Sequence, residues 1–101
     1  MNGGTMNKRK KLDNVLYART RKWAYERDDG LCVLCGAMAT EVHHIEFRSH
    51  GGLSNLNNLA CLCRDCHTKA HGSDAKKIRE ILKERNSKNN GRTANDIKEN
   101  Y

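Results

Sequence analysis

Apolar and polar positions divide the chain into helical and extended segments. Apolar residues recur at roughly helical spacing from residue 12 to residue 27, which predicts a helix. The stretches 41–47 and 59–62 have the residue types of two paired strands, and the stretch 64–71 that of a short helix. This order of elements predicts a small α+β domain.

A further helix is expected after the short one. Ser73 can cap its first turn, and Ile78, Ile81 and Leu82 form an apolar stripe along it. The stripe has two possible roles, because it can pack on the core of the domain or serve a dimer contact.

The arrangement of these elements predicts three parts along the chain. Residues 1–11 are polar and basic, and we expect a flexible arm there. Residues 12–85 are expected to form one domain with flanking helices, with a motif core at residues 29–72. Residues 86–101 are polar, and we expect a disordered tail.

Composition and charge narrow the class of function. The chain has 101 residues, of which 37% are apolar, so its core is small for a domain of this length. The net charge is +7, and the excess of Lys and Arg lies in the two flanks of the chain. A basic surface of this kind suits a polyanionic partner such as a nucleic acid. No apolar run is long enough to span a membrane and no signal peptide is recognisable, so we expect a cytoplasmic protein.

Two Cys-x-x-Cys pairs predict a structural zinc site. The pairs are Cys32 with Cys35 and Cys63 with Cys66, and four thiolates at this spacing can close a tetrahedral shell around Zn²⁺. Cys61 lies two residues before Cys63 and can exchange with it by a shift in register, but the spacing of the first pair favours Cys63. Zinc would supply folding free energy that the small core lacks.

The histidines predict a second metal site. His67 and His71 lie one turn apart on the predicted short helix, so both imidazoles can reach one cation. His43 can complete a shell of three nitrogens with open positions. Because neighbouring strand residues point to opposite faces, His43 and His44 are expected to divide their roles, and a twist or bulge must bring both to one site.

Five short segments carry a resemblance to a known family, and they include every residue of the two predicted metal sites except Cys35. They are Asp29-Gly30-Leu31-Cys32, Val42-His43-His44-Ile45, Gly51-Gly52, Asn58-Leu59-Ala60-Cys61-Leu62-Cys63 and Cys66-His67-Thr68-Lys69-Ala70-His71. Together they resemble the HNH nuclease family. The resemblance implies a ββα-metal fold, in which two strands and a helix surround one divalent ion and a four-cysteine zinc site braces the core.

The resemblance also implies a role for each matching residue. His44 would be the general base, and Asn58 would hold the loop between the strands. His43, His67 and His71 would bind the catalytic divalent ion, which could be Mg²⁺, Mn²⁺, Ni²⁺ or Zn²⁺. Many relatives have Asp in place of His43, and the imidazole here would shift the metal preference toward softer or borderline ions.

The expected reaction is hydrolysis of phosphodiester bonds in double-stranded DNA, by nicking or by cutting both strands, with little sequence specificity. Neutral imidazole can take a proton from water at physiological pH. Arg48, Arg64 and Lys69 are candidate phosphate-binding residues because they stand near the motif.

The expected biological process and partner rest on the family resemblance alone. Small HNH proteins of bacteriophages resemble this chain, which would suggest DNA packaging or processing with a terminase as partner, in a bacterial or phage-infected cell and as a monomer or a dimer. The alternative function is a zinc-dependent module that binds nucleic acid without catalysis, because four cysteines and basic flanks would suffice for it.

Overall fold

Three α-helices and two β-strands make up the described part of the chain. The structure is a computed structural model that describes the backbone of residues 3–97 and the side chains of residues 8–88. In chain order the elements are α1 (Gly3–Arg27), β1 (Glu41–His44), β2 (Leu59–Leu62), α2 (Arg64–Ala70) and α3 (Ala75–Ile97). The predicted α+β class is confirmed.

The two strands form an antiparallel pair at the centre of the domain. Glu41 lies opposite Leu62 and His44 opposite Leu59, without an interruption in register. All four residues of β2 are buried, which explains why its sequence is apolar throughout and does not alternate.

The two faces of β2 contact different helices. Leu59 and Cys61 pack with Ala24 of α1 in one apolar cluster. Ala60 and Leu62 pack in another cluster, which includes Leu82 of α3. The strand pair is therefore a middle layer, with α1 on one side and α2 and α3 on the other.

Helix α1 begins earlier than the apolar pattern predicted. It starts at Gly3, so the backbone of residues 3–11 is helical where we expected an arm. The physical reason is that this segment has no proline, and its run of Lys and Arg favours helix once a neighbouring turn is fixed. Leu12 and Val15, which suggested a buried stripe, are 67% and 63% exposed.

Strand β1 and helix α3 also differ in length from the predictions. Strand β1 ends at His44, because the backbone N–H of Glu46 donates to the side chain of Asn58 and the chain turns away. Helix α3 continues through residue 86, where we expected the tail to begin. Asn86 itself is buried and donates hydrogen bonds to the carbonyl oxygens of Asn57 and Leu59.

Residues 1–2 and 98–101, the outermost parts of the predicted arm and tail, lie outside the described residues. The division of the chain into domains stays a prediction.

A buried carboxylate ties the helices to β2. Asp28 accepts hydrogen bonds from Arg27, from Arg85 of α3 and from the backbone N–H of Cys61. Burial acts to raise the pKa of Asp28, but Arg27 and Arg85 outweigh it, and the pKa is lower than usual. The ionised carboxylate therefore holds three elements together.

The apolar stripe of α3 packs on the core in part. Ile78 and Leu82 are buried in the cluster that contains Ala60 and Leu62, whereas Ile81 is 44% exposed.

In residues 3–97 the structure has no helix with the length and apolar character needed to cross a membrane.

The loop between the strands depends on a glycine. A Cβ atom at Gly52 would overlap the backbone carbonyl of Glu46, whereas a Cβ atom at Gly72 would make ordinary contacts. We expect Gly52→Ala to lower the free energy of unfolding by about 1–3 kcal/mol, because backbone has to shift to admit the methyl group. Urea unfolding measures the change. Gly72→Ala is the matched control and should change stability by about 0.5 kcal/mol or less; equal effects of the two variants would contradict this account of the loop.

Candidate active site

Four cysteines lie together at one end of the domain. The Sγ atoms of Cys32, Cys35, Cys63 and Cys66 all lie within 4.8 Å of one another. The first pair lies in a tight turn in which the N–H of Gly36, at a positive φ of 84°, donates to the carbonyl of Cys32. The second pair brackets the start of α2, where the N–H of Cys66 donates to the Sγ of Cys63.

The geometry of the cysteine cluster fits zinc. A tetrahedron with Zn–S bonds of about 2.3 Å has sulfur–sulfur edges of about 3.8 Å. The Sγ atoms of Cys35 and Cys63 are 3.6 Å apart. Burial acts to raise the pKa of Cys32, but backbone hydrogen bonds, the largest from Cys63, outweigh it and lower the pKa to about 6. Burial instead raises the pKa of Cys66 to about 12, and a bound cation would favour the thiolate form of both residues. The four Sγ atoms together can hold zinc.

The fifth cysteine lies outside this cluster. Cys61 is fully buried in β2, opposite Val42, on the face that packs against α1. Burial and the nearby Asp28 raise the pKa of Cys61 to about 12, so it remains a thiol. Strand β2 ends before Cys63, so the two cysteines do not share a face as neighbours two apart on one strand would.

Three histidines form a second cluster beside the first. His43 on β1 and His67 and His71 at α2 place one ring nitrogen each within 4.8 Å of the others. The Nε2 atoms of His67 and His71 are 3.2 Å apart. Two nitrogens on one zinc-like ion at bonds of about 2.0–2.1 Å would lie about 3.3 Å apart, so the pair fits an ion of that size.

The environment favours the neutral form of two of these rings, His43 and His67. Burial, together with the neighbouring His67, His71 and His44, lowers the pKa of His43 to about 3. Burial also lowers the pKa of His67, although Glu41 opposes the shift. A neutral imidazole has a lone pair on one nitrogen, which is the form that binds a metal ion.

Two neighbouring residues hold the rings of the cluster. The ring of Phe47 stacks on that of His71, with centroids 4.7 Å apart and planes at 16°. A carboxylate oxygen of Glu41 lies 3.5 Å from Nδ1 of His67, on the side of the ring away from His71. This contact is longer than a hydrogen bond, but it places a negative charge beside the ring of His67.

His44 faces a different set of groups. Its Nε2 lies 2.8 Å from the hydroxyl oxygen of Ser54, and its ring lies 4.9 Å from that of Tyr17 on α1. The register from 41 to 44 is continuous, so no bulge within this strand pair brings His43 and His44 together. His43 and His44 are the last two residues of the strand, and there both rings line one cleft of about 460 Å³.

The sequence around this cleft is similar to that of known proteins. Residues 32–73 match the family described as HNH endonuclease. Residues 32–73 are an HNH domain. The chain is also similar to the type IV methyl-directed restriction enzyme EcoKMcrA of Escherichia coli (strain K12), with 33% identity over 73 residues, which covers 61% of this chain and 26% of that enzyme. The chain thus spans about a quarter of the length of this curated relative.

In the HNH domain Asn58 ties the loop to the strands. Its Oδ1 accepts from the N–H of Glu46, and its Nδ2 donates to the carbonyls of Glu46 and Leu53. Its backbone carbonyl also accepts from the N–H of Ile45. Asn58 is therefore placed to fix the loop against the end of β1.

The candidate phosphate-binding cations differ in their surroundings. Arg48 lines the cleft, but its guanidinium donates to Asp13 and Asn14 and lies 5.6 Å from the ring centre of Tyr17. Arg64 is 79% exposed and 3.5 Å from Glu41, and Lys69 is exposed on α2.

Sequence reasoning missed three polar residues of the site: Glu41, Ser54 and Asp13. Asp13 is the first acidic residue of the chain and follows a basic run, which was the one signal that could have singled it out. Ser54 had no such signal, because serine in a Gly-rich loop is ordinary turn composition.

Removal of one cluster cysteine should release zinc. We expect Cys35→Ser to lose the bound ion and unfold or aggregate, because the small core depends on the energy of the metal site. Cys61→Ala is the matched control, since Cys61 lies outside the cluster and should keep one zinc per chain despite some loss of packing. Metal analysis of the purified proteins and circular dichroism measure both effects. Full zinc content in Cys35→Ser would contradict the assignment.

Proposed function

We propose that the chain is a metal-dependent endonuclease that hydrolyses phosphodiester bonds of DNA in the cleft of its HNH domain. The observation that carries this proposal is that His44 and the three-histidine cluster line one cleft. The family match supports a nuclease, and the name of the relative, a restriction enzyme, supports DNA as the substrate.

The three-histidine cluster would hold the catalytic ion. Its three ring nitrogens suit a divalent cation of borderline character, and Glu41 and Phe47 lie against two of the rings. When bound, such an ion stabilises the negative charge that grows on the phosphate oxygens and on the leaving oxygen. The four-cysteine cluster would hold a structural zinc, because a shell of four thiolates has no open position for substrate.

His44 would act as the general base. Burial and the nearby Arg48 lower the pKa of His44, and Asp13 opposes this shift only in part. The ring is therefore neutral at physiological pH and can accept a proton from the attacking water. Asn58 would act indirectly, by holding the loop that carries residues 46–53 against the strand pair.

Basic residues near the cleft would bind the DNA backbone. A second cavity of about 530 Å³ adjoins the site and is lined by Arg9 and Lys10 of α1 together with Arg48. Phosphate contacts of this kind give affinity without sequence readout, which supports weak specificity. Arg64 and Lys69 are exposed on α2 and would extend the basic surface.

The biological setting stays a prediction from the family resemblance. It comprises a phage origin, a role in DNA packaging or processing with a terminase, a cytoplasmic location, and a monomeric or dimeric state. Nicking or cleavage of both strands also stays open in the proposal, and the form of the product will distinguish them.

Plasmid cleavage tests the proposed activity. Supercoiled plasmid is incubated at low salt with Mg²⁺, Mn²⁺, Ni²⁺ or Zn²⁺ added in turn and with EDTA as a blank, since backbone affinity falls steeply with ionic strength. We expect metal-dependent conversion to open-circle or linear DNA. His44→Ala should lower the rate by about 10²-fold or more while the protein keeps its fold and its zinc.

The control for His44 is an exposed histidine outside the cluster. His50→Ala should cleave at the wild-type rate. A shifted DNA band without cleavage under any metal would favour the alternative function, a zinc-dependent binding module without catalysis.

A second substitution tests the metal cluster. His71→Ala removes one of three nitrogen ligands, so the concentration of added metal that gives half-maximal cleavage should rise at least about tenfold. The zinc content of the cysteine cluster should not change. An unaltered metal requirement would show that His71 does not bind the catalytic ion.

A further inference from the structure

A chain of hydrogen bonds connects His44 to helix α1. Nε2 of His44 lies 2.8 Å from Oγ of Ser54, and Oγ lies 2.8 Å from Oδ2 of Asp13. The other carboxylate oxygen of Asp13 accepts from the backbone N–H of Ser54 at 2.7 Å. Ser54 is fully buried and Asp13 is 8% exposed, so water competes little for these bonds.

The charge state of Asp13 is set by its partners. Burial acts to raise the pKa of Asp13, but the hydrogen bonds from Arg48 and Ser54 outweigh it, and the pKa is lower than usual. Nε and Nη2 of Arg48 lie 3.2 Å and 2.7 Å from Oδ2. Asp13 is therefore an ionised carboxylate, which accepts hydrogen bonds and cannot donate one.

Hydrogen counting then fixes the direction of every bond in the chain. The hydroxyl of Ser54 has one hydrogen, and Asp13 supplies none, so this hydrogen lies between Oγ and Oδ2. Oγ has only lone pairs left for His44. The hydrogen between His44 and Ser54 must therefore come from Nε2.

We propose that Asp13 and Ser54 are positioning residues that hold His44 as the tautomer protonated on Nε2, with Nδ1 free as the base. This inference rests on the proposed function of His44 and extends the site beyond the HNH domain. Asp13 lies on α1, outside residues 32–73.

Neighbouring residues keep the parts of this chain in place. Thr20, also on α1 and fully buried, donates to the backbone carbonyl of Ser54 at 2.6 Å. The Tyr17 ring lies against the ring of His44, and its hydroxyl donates to the carbonyl of Val42. Asp13, Tyr17 and Thr20, all on α1, thus limit the rotation of the His44 ring or the movement of Ser54.

The proton balance of the step follows from this arrangement. One O–H bond of the attacking water breaks, and the proton forms a new N–H bond at Nδ1 of His44. The water oxygen forms a P–O bond while the P–O bond to the leaving oxygen breaks, and the leaving oxygen departs with that electron pair and takes a proton from solvent water. The resulting imidazolium still donates from Nε2 to Ser54, and the negative charge of Asp13 lies behind that hydroxyl. Nothing is oxidised or reduced.

The tautomer can be measured directly and without substrate. The zinc-loaded full chain, labelled with ¹⁵N, is studied by ¹H–¹⁵N correlation through the imidazole carbons at about pH 8, above the usual histidine pKa. His44→Ala identifies the signals of His44. The expected result is a protonated Nε2 and an unprotonated Nδ1. A His44 protonated on Nδ1 in the wild-type protein would overturn the proposal.

Asp13→Asn should reverse the tautomer. Arg48 also donates to Oδ2, but its side chain is 35% exposed and can turn to solvent, whereas the buried backbone N–H of Ser54 cannot and keeps an oxygen opposite it. The new amide nitrogen therefore takes the place of Oδ2 and donates to Oγ. The hydroxyl hydrogen of Ser54 then turns to Nε2 of His44, and Nδ1 carries the proton instead. An unchanged tautomer in a folded Asp13→Asn protein would also overturn the proposal.

Cleavage kinetics test whether the tautomer matters for the reaction. We expect Asp13→Asn and Ser54→Ala to lower kcat by about 10²-fold or more, with KM changed less than about twofold, because the wrong tautomer or a free ring removes the base and leaves DNA binding intact. Ser87→Ala, an exposed serine of α3, is the matched control. A wild-type kcat in a folded variant would contradict a positioning role.

The two sets of measurements separate this proposal from the proposed function. If the wild-type chain does not cleave DNA, the spectra still decide whether Asp13 and Ser54 set the tautomer. If Asp13→Asn does not fold, the wild-type spectrum and Ser54→Ala still decide it.

Discussion

The antiparallel register between Glu41–His44 and Leu59–Leu62 positions both candidate metal sites. Because β2 ends at Leu62, Cys63 is free to leave the sheet and begin α2, which carries Cys66 and then His67. The same register places His43 beside that helix. A shift by one residue would move every side chain of the pair to the opposite face and separate the two halves of each cluster.

Helix α2 connects the two sites physically. Cys63, just before the helix, and Cys66 in its first turn contribute two thiols. His67 in its last turn and His71, just after the helix, contribute two imidazoles. A zinc ion at the thiols would fix the start of a helix that has only seven residues and would be marginal by itself. The geometry of the histidine cluster therefore depends on the cysteine cluster, even though the two would bind different ions for different purposes.

The two adjacent histidines at the end of β1 lie in two different chemical environments. His43 lies beside the rings of His67 and His71, and burial together with the neighbouring histidines lowers its pKa to about 3. His44 lies instead against α1, where an ionised carboxylate reaches it through a serine. Alternation along the strand separates the two environments, and the short length of β1 lets both rings line one cleft.

The sequence by itself determined the residues whose chemistry depends on type and local spacing. The two Cys-x-x-Cys pairs and the two histidines one helical turn apart were predicted because turn and helix geometry relate close neighbours in the chain. Tertiary structure alone decided which distant groups meet them. Asp13 reaches Ser54 across 41 positions, and Glu41 of β1 lies 3.5 Å from His67 of α2. Such contacts depend on how α1 packs on the sheet, and no local pattern records that packing. The start of α1 was missed for a related reason, since its first residues have no apolar periodicity to predict a helix.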